Sequence, residues 1–153
     1  MAKRRKTRTS RSEDRGRARA QELRGDRELL TRAREVSRRA HSPYSGLRVG
    51  AALLATDGRV FSACNVECAS YPLTVCAERN AVAKAISEGA KRFDAIAIAS
   101  SAGRPLMPCG ACRQVLHEFA PRLRVLVAGP RGTVLECRLD ELLPDAFGPG
   151  DLR

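Results

Sequence analysis

Histidine and aromatic residues are scarce in this chain: two His, two Tyr, four Phe and no Trp among 153 residues. Neither His41 nor His117 stands at ligand spacing to a cysteine, which leaves histidine out of any metal site read from spacing. Long apolar runs are also lacking. None approaches the roughly 18–20 residues that cross a bilayer, so no membrane-spanning helix is expected. The amino terminus is rich in arginine but has no apolar signal core, and the expected location is the cytoplasm. Thiols are normally reduced there, so the six cysteines are read as ligands or packing residues rather than a disulfide framework.

What is present in excess is positive charge, and it is unevenly placed. Residues 1–40 hold 15 Lys/Arg against 6 Asp/Glu, a net +9 of the chain's +11, which leaves +2 for residues 41–153. Residues 1–25 have almost no aliphatic content, and the expected state of that stretch is a disordered basic tail. Its sharper reading is a nucleic-acid-binding arm. No aromatic residue interleaves the arginines to stack on bases, which favours the plainer reading of a solubilising tail. Residues 26–153 then form one domain, large enough to build a single core.

From Asp26 the pattern is helical, with Leu29, Leu30, Ala33, Val36 and Ala40 on one face. "VGAALLA" (49–55) and "RVFSACN" (59–65) read as strands joined through Asp57-Gly58, a hairpin signal. A helix follows over "CAERNAVAKAIS", with Ala77, Ala81, Val82, Ala85 and Ile86 on one stripe and Gly89 placed to end it. "DAIAIAS" (94–100) is apolar on both sides, as at the centre of a covered sheet. A helix over 109–119, two further strands in "LRVLVAG" and "TVLECRL", and a short helix in "LDELLPDAF" complete the pattern. The predicted fold class is α/β, a three-layer helix–sheet–helix sandwich.

The chemistry-bearing residues lie at two helix starts. "PCGAC" places Cys109 and Cys112 as a Cys-x-x-Cys, which has two common meanings: a redox pair or half of a metal site. A metal site needs a further ligand, and Cys76 in "TVCAERNA" can supply it. Three thiolates with one open position match catalytic rather than structural zinc. Free N–H groups in the first turn of a helix favour anionic sulfur at all three places. Arg79, three residues after Cys76, is placed to hydrogen-bond the sulfurs and offset their charge. Glu78 beside the open position can take a proton from a zinc-bound water and hand it on. This pairing of a cysteine-ligated zinc with a non-ligand glutamate and a Pro-Cys-x-x-Cys element is that of the zinc deaminases.

The chain resembles the small homotetrameric cytidine deaminases through "SPYSGLRVGAAL" (42–53), "CNVECASYPLTVCAERNA" (64–81), "PCGACRQVL" (108–116) and "ELLPDAFGPGDL" (141–152). The resemblance implies a five-stranded mixed sheet, one Zn2+ per subunit, and hydrolysis of cytidine and deoxycytidine to uridine and deoxyuridine in pyrimidine salvage. It implies that Asn65 and Glu67 hold the ribose hydroxyls and that the Ala77 backbone meets the base. Tyr71 and Phe147 match aromatic positions that help build a neighbouring subunit's pocket. One departure stands out: the family's Pro-Tyr-Ser-x-Phe phenylalanine, which lies on the pyrimidine, is Leu47 here. Cys64, Cys68 and Cys137 are read as packing residues. The alternatives are a zinc deaminase acting on a modified nucleoside, an aminonucleoside antibiotic or cytosine in nucleic acid, a non-catalytic zinc module that contacts nucleic acid, and a thiol redox protein.

Overall fold

A computed structural model describes residues 8–152, with side chains described at residue 21 and over 23–152. A single five-stranded sheet forms the middle layer, in the order β2-β1-β3-β4-β5. β1 (Val49–Ala55) pairs antiparallel with β2 (Val60–Cys64) and β3 (Phe93–Ser100), and β4 (Arg124–Ala128) pairs antiparallel with β5 (Val134–Arg138). Only β3 and β4 run parallel, so the sheet is mixed. A parallel pair needs a crossover, and α3 (Gly110–Phe119) lies in that connection.

Strand periodicity decides what each face holds. On β3, Ala95, Ala97 and Ala99 face α1 (Arg8–Ser37) and pack with Leu29, Leu30 and Ala33. Ile96 and Ile98 face the opposite way and join Leu53, Val125, Val127 and Leu116 of α3. With them are Ala77, Ala81, Val82 and Ala85 of α2 (Ala77–Ser87), the apolar stripe expected of that helix. The alanine face lets α1 lie close on the sheet. Gly50 marks the tightest approach: a Cβ there would overlap the Ala33 carbonyl oxygen and crowd the Ser37 amide. The β1–β2 hairpin turns at Gly58, whose φ of +88° suits glycine. A last short helix, α4 (Leu139–Leu142), anchors the carboxyl-terminal segment through fully buried Leu139.

α1 begins at Arg8, so helix also runs through residues 8–25, the stretch read from composition as a basic tail. Ala, Arg, Gln, Glu and Leu there favour helix and no proline interrupts them. Tertiary anchoring is seen at Asp26, whose carboxylate accepts from Arg124 at 2.9 Å, while Leu23 one turn earlier is exposed. Residues 1–7 of the expected tail lie outside the described residues. No described helix is long and apolar enough to cross a membrane.

Candidate active site

Two helix N-termini meet at one point. Cys76 is the N-cap of α2 and Cys109 the N-cap of α3, both with extended backbone and no side-chain capping bond, so neither thiol is committed to its own helix. Cys112 sits in the first turn of α3 and is fully buried. The three sulfurs all lie within 4.8 Å of one another, the one metal-compatible cluster among the described residues. Cys76 and Cys109 are 3.9 Å apart, and Cys109 and Cys112 3.3 Å. Three thiolates about 2.3 Å from a tetrahedral zinc stand about 3.8 Å from each other. The donor set therefore fits zinc with small adjustment. All six cysteines are free, so Cys109 and Cys112 do not form a disulfide here.

Electrostatics concentrate anionic character on this cluster. Hydrogen bonding from the Cys112 thiol, then from Arg79 and Cys109, lowers Cys76 to about 5. Sharing that bond, together with burial, pushes Cys112 upward. The Arg79 Nη2 donates to the Thr74 carbonyl at 2.8 Å and lies 4.0 Å from the Cys76 sulfur, while its buried Nε has no protein partner. Arg79 is thus placed where a charge-offsetting group belongs. Glu78, in the first turn of α2, is only 5% exposed, and burial pushes its carboxyl above the usual range. It is not a member of the sulfur cluster.

A cavity of about 280 Å³ opens over this point and brings Glu78, Cys76 and Cys109 together with Asn65, Glu67 and Leu47. Ile98, Leu106 and Met107 supply an aliphatic wall that the sequence did not single out. Ser45 and Thr74, also missed, join this cavity to a second of about 300 Å³ that includes Tyr44 and Tyr71. Leu106 and Met107 lie in no quoted motif, and Ser45 and Thr74 lie in motifs that gave them no role of their own; tertiary closure brings all four to the site.

The polar residues of the cavity are held by backbone. Asn65 is buried; its Oδ1 accepts from the Val49 amide at 2.7 Å and its Nδ2 donates to the Leu47 carbonyl at 2.9 Å. One amide hydrogen remains for a ligand. Glu67 accepts from the Tyr44 amide at 2.9 Å, the Ser45 amide at 3.2 Å and the Ser45 hydroxyl. The hydroxyl contributes most to holding its carboxyl below the usual value. Ala77 is fully buried and lines neither cavity. Tyr71 is exposed and meets Tyr44 edge-on with centroids 5.7 Å apart. Phe147 is exposed and lines neither cavity, its carbonyl accepting from Gln114 at 2.8 Å. Cys64, Cys68 and Cys137 are half-buried and lie outside the cluster.

Comparison with known proteins agrees with this geometry. Residues 23–128 match the family described as the cytidine and deoxycytidylate deaminase zinc-binding region. A cytidine deaminase from Halalkalibacterium halodurans is 46% identical over 129 residues, covering 83% of this chain and 98% of that protein. One from Mycobacterium tuberculosis is 48% identical over 124 residues, 81% of this chain and 90% of the other. The crystal structure of cytidine deaminase from Burkholderia pseudomallei superposes with a TM-score of 0.76 at 44% identity, covering 79% of this chain and 98% of that one. With sulfurs placed for zinc beside a buried glutamate, and with sequence and fold in agreement, this chain belongs to the cytidine and deoxycytidylate deaminase zinc-binding family.

Proposed function

We propose that the chain is a zinc-dependent hydrolase that converts cytidine and deoxycytidine to uridine and deoxyuridine with release of ammonia. The observation that carries this reading is the convergence of Cys76, Cys109 and Cys112 beside buried Glu78 in a single cavity. Cys76, Cys109 and Cys112 hold the metal, which when bound activates water and stabilises developing negative charge. Glu78 takes the proton of the attacking water and delivers it to N3 of the pyrimidine as oxygen bonds to C4. The carboxylate so regenerated then takes the remaining proton from the new C4 hydroxyl and passes it to the amino group, so that the C4–N bond breaks as the C4 carbonyl forms and ammonia leaves. One residue acts first as base and then as acid, and no separate acid is required.

The remaining residues bind and orient. Asn65 and Glu67 hold the sugar hydroxyls, each prearranged by its bonds to the 44–49 segment. Leu47, with Ile98, Leu106 and Met107, covers the base and excludes water, and the contact of the Ala77 backbone with its edge rests on the family resemblance alone. Arg79 offsets the thiolate charge. Exposed Tyr71, Leu73, Phe147 and Leu152 support assembly into a homotetramer in which Tyr71 and Phe147 complete neighbouring pockets. Six free thiols accord with the cytoplasm, where pyrimidine salvage would place the enzyme.

The test is a panel of free nucleosides and cytosine-containing oligonucleotides, followed by ultraviolet absorbance and ammonia release, with zinc quantified in the same samples. Cytidine and deoxycytidine turn over, and oligonucleotides do not, because the grip on the sugar hydroxyls conflicts with a polymer's linkages. Turnover of oligonucleotides alone would move the assignment to nucleic acid. A zinc-replete protein that releases no ammonia from any member would make it a binding module.

A further inference from the structure

Of the three sulfurs, that of Cys109 has the least packing to hold it. Cys112 is buried and Cys76 half-buried, whereas Cys109 is exposed and makes no capping bond. Its direction must be set by the backbone that leads into it, and that backbone is tied down from an unexpected place. Arg113, the residue after Cys112, donates Nε to the Pro108 carbonyl at 2.8 Å and Nη1 to the Leu142 carbonyl at 2.7 Å. Pro108 immediately precedes Cys109 and is itself buried. Leu142 closes α4, which is seated in the core by Leu139 and by the Leu139 amide donating to the Leu123 carbonyl at 3.0 Å. One planar guanidinium therefore spans from a fixed helix to the peptide entering a metal ligand.

We propose that Arg113 is a positioning residue that orients the Cys109 sulfur through the Pro108 carbonyl, with α4 as its anchor. The inference rests on the ligand set proposed above. Orientation of the 108–109 peptide fixes where the Cys109 Cβ projects, and so where its sulfur stands relative to the other two. A guanidinium carries its donors in a rigid fork, so holding one carbonyl determines the position of the other. An ammonium at the same place is a single point charge and cannot hold both in register. Groups that orient ligands in this way change metal affinity by about 10–100-fold when removed.

The experiment compares zinc-loaded wild type, Arg113→Lys, Arg113→Ala and Gln114→Ala by the rate of zinc release to a chromophoric chelator. The visible absorption of the cobalt(II)-substituted proteins is recorded alongside. Both Arg113 variants release zinc about 10–100-fold faster, and their cobalt bands shift as the Cys109 bond relaxes. Gln114→Ala loses only the bond to the Phe147 carbonyl and matches wild type in both measurements. If Arg113→Ala does not fold, Arg113→Lys, which keeps the charge but gathers its donors on a single nitrogen, decides the matter. Wild-type release rates and cobalt spectra in a folded Arg113 variant overturn the proposal, as does a Gln114→Ala protein equally impaired. A wild-type chain that binds no zinc overturns the ligand set itself, and its stoichiometry reveals that before any variant is compared.

Discussion

Replacing Glu78 by glutamine isolates the chemistry from the architecture. The residue is in the first turn of α2, 5% exposed, and shares its cavity with Cys76 and Cys109. Glutamine has nearly the same shape, so the helix, its packing and the three sulfurs stay in place. What it loses is the ability to accept and return a proton. A positioned acid or base contributes about 10²–10⁴-fold to one transfer. Glu78 serves two successive transfers in the proposed reaction, and because the slower one limits kcat the expected loss is about 10²–10⁴-fold, or roughly 3–5 kcal/mol of barrier. The assay is the fall in cytidine absorbance in single-turnover and steady-state modes, with zinc measured in each preparation. The expected protein is zinc-replete, binds cytidine within a fewfold of wild type and scarcely turns over. A zinc-replete Glu78→Gln enzyme with kcat within tenfold of wild type would refute the assigned role.

Leu47→Phe, facing the cavity, adds an aromatic surface for the base; stacking of about 0.5–1.5 kcal/mol lowers KM for cytidine by about two- to tenfold. An unchanged KM would mean that this side chain does not reach the ring. Gly50→Ala drives a methyl group into the backbone of α1 at Ala33 and Ser37, and a loss of about 1–3 kcal/mol in urea unfolding is expected. Glu67 has its folded pKa below the unfolded value of 4.5, first through the Ser45 hydroxyl. Its stabilising effect is therefore complete above that value and disappears as pH falls through the folded one. Glu67→Gln should flatten this part of the acid-unfolding curve, and an unaltered curve would show that the 44–45 turn does not depend on the carboxylate.

Much of the fold was written in local pattern. β1 has the predicted bounds, β3 alternates as a buried central strand, and α2 carries the expected stripe, because strand and helix periods are properties of neighbouring residues. The spacing of Cys76 to Glu78 and of Cys109 to Cys112 was legible for the same reason, since each pair shares a single helix start. Over residues 8–25 charge repulsion and helix propensity point in opposite directions, and composition alone does not decide between them; α1 runs through that stretch.

Tertiary structure decided everything that depends on closure over distance. Cys76 and Cys109 are 33 residues apart, Ser45 and Glu67 22, and Arg113 and Leu142 29. No short-range rule relates such positions; they meet because one mixed sheet carries α2, α3 and α4 on the same face and brings two helix N-termini together. The sequence by itself determined which residues could bind metal and move protons. The folded sheet decided that they converge, that Ile98, Leu106 and Met107 wall the cavity above them, and that a guanidinium anchored in α4 holds the least supported sulfur in place.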